Sequence, residues 1–147
     1  MKLQSSHYHR DQFDYFVDIT TRWNDNDIYG HVNNVTYYSF FDSAANHFLI
    51  YRGGLDIHSA PVIGLVVASE CQYKQAVAYP EPLEVGFRAN RIGHSSVEYG
   101  LAVFRPEENV SVAFGTFTHV FVERESGQSI AIPQSIRTAL ETVCWMP

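Results

Sequence analysis

Asn34-Val35-Thr36-Tyr37-Tyr38-Ser39-Phe40-Phe41-Asp42-Ser43-Ala44-Ala45-Asn46-His47-Phe48-Leu49-Ile50-Tyr51-Arg52-Gly53-Gly54 is the stretch on which the fold turns. Val35, Tyr38, Phe41, Ala45, Phe48 and Leu49 recur mostly at intervals of three and four, which places them on one stripe of an α-helix from Asn34 to about Arg52. Asn33 or Asn34 can cap its start by accepting from an early backbone N–H, and Gly53-Gly54 stops it, since glycine readily takes the left-handed conformation. Such a helix is about 18 residues long, a rod of roughly 27 Å. Tyr37 and Phe40 fall off the main stripe and predict burial on a second flank. A helix wrapped by a curved sheet satisfies both flanks.

On either side of this helix the period changes to two. Phe13 to Trp23 alternates loosely and reads as a strand. After Pro61 come four more: Val62 to Tyr73, Leu83 to Asn90, Ser96 to Phe104 and Val110 to Glu123, separated by turn-forming residues at Tyr79-Pro80-Glu81-Pro82, Ile92-Gly93-His94 and Arg105-Pro106-Glu107-Glu108-Asn109. In the second of these four, Leu83, Val85, Phe87 and Ala89 point inward and Glu84, Arg88 and Asn90 outward. Pro133 opens a short helix carrying Ile136, Leu140 and Val143. Short turns make the strands mostly antiparallel. The expected fold is α+β: a single domain over residues 1–147, with a long central helix, about five strands, a short C-terminal helix, and residues 1–12 as a flexible lead-in.

The composition suits this reading and narrows the function. Ten basic residues against 16 acidic ones leave a net charge of −6, which disfavours general nucleic-acid or anionic-membrane binding. Cys71 and Cys144 make no disulfide framework, and neither they nor the seven histidines show metal-ligand spacing. No apolar run approaches a membrane span, and the first residues show no signal-peptide pattern, so a cytoplasmic protein without metal or cofactor is expected.

Polar groups concentrate just before the helix, in Asp25-Asn26-Asp27-Ile28-Tyr29-Gly30-His31-Val32-Asn33-Asn34. Asp25-x-Asp27-x-Tyr29-Gly30 begins like a calcium loop but breaks at its fifth position and again at Thr36, where glutamate is required. Gly93-His94-Ser95-Ser96 is not a nucleophile elbow. The string Asp25-x-Asp27-x-x-Gly30-His31-Val32-Asn33-Asn34-x-x-Tyr37, continued through Gln75-Ala76-Val77-Ala78-Tyr79-Pro80, Gly93-His94-Ser95-Ser96-Val97 and Ile132-Pro133, resembles the hotdog-fold acyl-CoA thioesterases of the 4-hydroxybenzoyl-CoA thioesterase type. The likeness runs from about residue 14 to residue 140.

That resemblance implies hydrolysis of an acyl thioester of coenzyme A or of acyl-carrier protein. It maps the catalytic carboxylate onto Asp27, as general base or nucleophile, and the backbone N–H that polarises the carbonyl onto Asn34. A helix N-terminus suits the second task, because its unpaired N–H groups and partial positive charge favour an oxygen becoming anionic. His31 is a candidate assistant, Asp42 on the helix a reserve acid, and Asp25 a turn-former. Arg91, His94, Ser95 and Ser96 match the region relatives use for the coenzyme A arm, with Arg88 and Lys74 as further cations. Relatives assemble as homodimers or homotetramers with shared sites. Two other readings stand beside hydrolysis: a hotdog dehydratase or hydratase using Asp27 and His31, and a non-catalytic acyl-thioester-binding domain.

Overall fold

The computed structural model describes residues 4–147. Its five strands are β1 (Tyr15–Thr20), β2 (Val62–Tyr73), β3 (Pro82–Ile92), β4 (Ser96–Phe104) and β5 (Ala113–Glu123); its helices are α1 (Thr36–Tyr51) and α2 (Gln134–Glu141). All neighbouring strands are antiparallel, in the order β1-β3-β4-β5-β2. Strands β1 and β2, consecutive in the chain, therefore occupy opposite edges. The connection between them carries α1 across one face of the sheet.

On that face Tyr37, Phe40, Phe41, Ala44, Ala45, Phe48 and Leu49 of α1 meet Val85, Phe87 and Ala89 of β3, Tyr99 and Leu101 of β4 and Phe117 and Phe121 of β5 in one cluster. The predicted second flank is real, since Tyr37 and Phe40 are both buried. The stripe itself starts later than its period suggested: Val35 is exposed and lies ahead of the helix. At the other end Gly54 takes φ +71° and the Leu55 N–H bonds the Leu49 carbonyl, closing the helix. α2 adds Ile136 and Leu140 to the same core.

The first strand is shorter than predicted, and Trp23–Asp25 forms a 3-10 turn instead. The last begins at Ala113 rather than Val110, so Val112 turns into the helix-side cluster. The lead-in differs more. Residues 1–3 lie outside the described residues, but Tyr8 and Phe13 are buried on the sheet's outer face with Ala102, Phe104 and Phe114. Arg10 lies over Phe16 and Phe104 and pairs with Glu84 at 2.8 Å. The segment from Tyr8 to Phe13 is thus a packed cover.

This cover also changes the reading of Arg88. Its side chain does leave the helix face, but it ends 1% exposed, with its guanidinium carbon 4.4 Å from the Tyr8 ring centroid, 4.6 Å from that of Phe13 and 3.8 Å from that of Trp145. Room for it comes from Gly100, where a Cβ would stand 2.7 Å from Arg88 Nε. Arg88 is therefore a packed cation, unable to reach a phosphate in solvent. Among the described residues no helix is long and apolar enough to cross a membrane.

Candidate active site

The strand registers fix where the polar loop sits. Thr20 pairs with Pro82, Glu84 with Phe104, Val103 with Ala113, and Ala113 with Tyr73, so the loop after β1 emerges at the Tyr73 end of the sheet. There residues 26–32 form a miniature hairpin. Asn26 bridges Val32, the Gly30 N–H donates to the Asp27 carbonyl at 3.1 Å, and the Asp27 N–H donates to the His31 carbonyl at 2.9 Å. Gly30 has φ +82°, the left-handed value that this turn geometry requires and that glycine supplies without strain.

Two acids two positions apart have separate tasks in this hairpin. Asp25 is buried; its Oδ2 accepts from the Arg22 N–H at 2.8 Å and its Oδ1 from Arg22 Nε and Nη2 at 3.2 and 2.9 Å. Its carbonyl accepts the Asn33 N–H at 2.8 Å, tying the start of the loop to its end. Asp25 shapes the turn, as expected. Asp27 is partly exposed, and among the described residues only its Oδ1 is engaged, by the Tyr29 N–H at 2.9 Å.

A second loop, between β2 and β3, holds the hairpin in place. The Val32 N–H donates to the Val77 carbonyl, the Tyr79 N–H to Asn26 Oδ1, and Thr21 Oγ1 to the Glu81 carbonyl. Arg105 braces this loop with bonds to Glu81 Oε1, Gln75 Oε1 and the Ala76 carbonyl, and its bond holds the Glu81 carboxyl below the usual carboxylate range.

Between the two loops and the start of α1 lies an open cleft of about 420 Å³ lined by Asp27, Tyr29, His31, Val32, Asn34, Tyr37, Tyr73, Lys74, Gln75 and Ala76. It brings together Asp27, His31 and Asn34. At its helix side Asn33 Oδ1 accepts from the Val35 N–H at 3.1 Å and the Asn33 carbonyl from the Thr36 N–H at 2.9 Å. The capping bond thus belongs to Asn33, one turn ahead of the regular helix, and Val35 makes no side-chain cap. The Asn34 N–H has no acceptor among the described residues. Tyr37 and Tyr73 wall the cleft edge-on to each other at 5.1 Å between ring centroids. Burial pushes the Tyr37 phenol up to about 12 and the thiol of neighbouring Cys71 to about 11, so both stay protonated at neutral pH.

The other candidates stand apart. Asp42 is exposed on α1 and bonded to Asn46, outside the cleft lining. Arg91, His94, Ser95 and Ser96 occupy the β3–β4 turn at the far end of the sheet, where Ser96 pairs with Val120 and Val120 with Leu65. The backbone of that turn is occupied: the Ser95 carbonyl accepts from Phe121, the His94 carbonyl from Ile132, and Arg137 bonds the Gly93 carbonyl. Of the suggested cations only Lys74 lines the cleft. Tyr29 lies in the polar loop and Tyr37 and Gln75 in the family-like string, yet neither spacing nor resemblance gives them a site role; Tyr73 carries no signal at all, since 39 positions separate it from Asn34. Among the described residues no group of three or more His, Cys, Asp or Glu side chains is placed to hold a metal ion.

A long helix crossing one face of a five-stranded antiparallel sheet, with a short C-terminal helix, is the hotdog fold. The family model described as the thioesterase-like superfamily matches residues 21–140, and the chain belongs to that family. The crystal structure of the PA5185 protein from Pseudomonas aeruginosa strain PAO1 is similar at 55% identity and a TM-score of 0.92, over 93% of this chain and 96% of that one. The PA2801 protein from Pseudomonas aeruginosa, a thioesterase candidate, is 29% identical with a TM-score of 0.81, over 87% and 98%. The Bacillus subtilis (strain 168) protein YsmA is 26% identical over 81% of this chain and 80% of its own length. Family and relatives together support thioester hydrolysis in general.

Proposed function

We infer that the chain hydrolyses an acyl-CoA thioester to the free acid and coenzyme A. The observation that carries this is the presence of Asp27 and the unpaired Asn34 N–H in one cleft. Asp27 keeps one oxygen fixed by the Tyr29 N–H and the other without a partner among the described residues, which suits a base or a nucleophile. Along the base route, Asp27 takes a proton from water as its oxygen bonds the acyl carbon. The carbonyl oxygen becomes anionic against the Asn34 N–H, collapse breaks the C–S bond, and the proton held by Asp27 passes to the leaving thiolate to release the thiol. Along the nucleophile route the Asp27 oxygen bonds the acyl carbon itself, the C–S bond breaks and the thiolate leaves to take a proton from water, and a second water cleaves the anhydride to the free acid and the Asp27 carboxylate. His31, exposed in the same cleft, orients the attacking group, and Lys74 offers a cation to the phosphate-bearing arm.

Thiol release from a panel of acyl-CoA and acyl-carrier-protein thioesters, by wild type and Asp27→Asn, tests this. Release no faster than in buffer for every substrate sinks the proposal. Dehydration of 3-hydroxyacyl thioesters by Asp27 and His31 would instead give a conjugated enoyl thioester and no thiol. A binding domain would be stabilised by an acyl-CoA without consuming it.

The working form is a homodimer or a pair of dimers. Strand β2 is a sheet edge of 12 residues whose Leu65, Val66 and Val67 are exposed, broken only by an irregularity between Val66 and Ala68. Such an edge is a template for pairing. Antiparallel pairing of two β2 edges would bring the Arg91–Ser96 turn of one chain towards the cleft of the other. Light scattering tests this, and a fully active monomer contradicts it.

A further inference from the structure

Residues 32–36 lead from the hairpin into α1, and four of their five backbone N–H groups are engaged. Val32 donates to the Val77 carbonyl, Asn33 to the Asp25 carbonyl, Val35 to Asn33 Oδ1 and Thr36 to the Asn33 carbonyl. Only the Asn34 N–H has no acceptor among the described residues. Its residue is nevertheless held from the other end, because the Asn34 carbonyl accepts the Tyr73 phenol at 2.9 Å. A carbonyl at this point of a helix ordinarily takes the N–H four residues on. Here the Tyr38 N–H goes instead to the Val35 carbonyl at 3.2 Å, leaving the Asn34 oxygen to a donor from the sheet.

We propose that Tyr73 is a positioning residue: its phenol fixes the Asn34–Val35 peptide while the Thr36 N–H holds the Asn33 carbonyl, so both planes flanking the Asn34 Cα are set and the free Asn34 N–H is aimed into the cleft. The inference rests on the reading of that N–H as the donor to the thioester carbonyl. A hydrogen-bond donor helps a developing oxyanion most when its orientation is set in advance. The residues just before a helix are loosely held in general, since their own helical bonds are incomplete. Tyr73 is the last residue of β2, so the bond attaches that point of the chain to the sheet. Its ring is braced edge-on against buried Tyr37. Burial, reinforced by Cys71, raises its pKa well above the usual tyrosine value, so the phenol remains a donor throughout the neutral and mildly alkaline range.

Tyr73→Phe removes the hydroxyl and keeps the ring. The expected result is a fall in kcat of about 3- to 10-fold, the worth of one ordinary hydrogen bond, with KM within about twofold. In the free protein the Asn34 carbonyl-carbon resonance should move upfield, while the unfolding midpoint falls by no more than the loss of one such bond allows. Tyr73→Leu, which also removes the brace on Tyr37, should lower kcat at least as far. An unchanged kcat overturns the proposal, as does an unchanged Asn34 carbonyl resonance. A raised KM at constant kcat also overturns it, by making Tyr73 a substrate contact. If the wild type releases no thiol from any substrate while the resonance still moves, the thioesterase reading has failed, and the catalytic purpose of Tyr73 with it.

Discussion

Asp25 and Asp27 stand two residues apart on one hairpin, yet the first is 2% exposed and bonded through both carboxylate oxygens, while the second lines a cleft with one oxygen engaged. Their variants should therefore fail in different ways. Asp25→Ala leaves the Arg22 N–H without its acceptor and loosens the loop, and should lower stability by about 2–4 kcal/mol. Asp27→Asn should unfold at the wild-type midpoint and lose thiol release by at least about 100-fold. Denaturant midpoints measured beside turnover separate the two. Equal loss of stability in both variants would show that Asp27 is structural.

Asn34 is expected to act through its backbone. Asn34→Ala keeps the N–H and should leave kcat within a few-fold of wild type. Asn34→Pro deletes the N–H in the turn just ahead of α1, where it makes no bond among the described residues; kcat should fall by about 10²–10³, as when an oxyanion donor is removed. Circular dichroism and the unfolding midpoint establish that the proline variant is folded. If alanine and proline were equally harmful, the side chain would be the acting group.

Much of this arrangement is legible in the sequence, because short-range patterns carry it. The three-and-four spacing from Phe41 to Leu49 announces α1, and the density of polar groups from Asp25 to Asn34 marks the loop before it. What escapes is non-local. Alternation assigns Arg88 to the outer face but says nothing of what covers that face; burial comes from Tyr8 and Trp145, near the two ends of the chain. Spacing gives no register either, so it does not show that the paired strands carry the Arg91–Ser96 segment to the end of the sheet away from Asp27. Tyr73 looks like any strand tyrosine until the register sets it beside Asn34.

The aromatic cover over Arg88 should contribute to stability. The Arg88 guanidinium donates to Asn90 Oδ1 and the His7 carbonyl, and its buried Nη2 has no hydrogen-bond partner among the described residues. Burial lowers its pKa to about 10. Trp145 is half-buried, and Trp145→Ala, which removes the ring 3.8 Å from the guanidinium, should cost about 1–2 kcal/mol, less than for a fully buried aromatic. Arg88→Met should be milder than Arg88→Ala, because a flexible apolar chain fills the space without leaving a charge to solvate. Urea midpoints of the three variants check this order. A methionine variant weaker than the alanine one would mean that the pocket does not accommodate the thioether chain and closes more readily around alanine.

His119 should make stability depend on pH. It is 2% exposed, its Nδ1 lies 3.0 Å from the Tyr99 hydroxyl, and burial lowers its pKa to about 4 from the usual 6.5. The folded chain therefore keeps the imidazole neutral where the unfolded chain would protonate it. Between pH 6.5 and 4 the unfolded state binds more protons, so stability falls as the pH is lowered through this window and is unaffected by this group above it. The full effect is on the order of 3 kcal/mol. Carboxylates titrate at the lower end of the same range, so the useful quantity is a difference. His119→Leu combined with Tyr99→Phe removes the titrating ring and the hydroxyl it partners. Unfolding free energies of wild type and this double variant, followed by urea titration from pH 7 to pH 4, should show the wild type losing stability more steeply as the pH falls. Parallel curves would show that the imidazole binds its proton as readily in the folded chain as in the unfolded one.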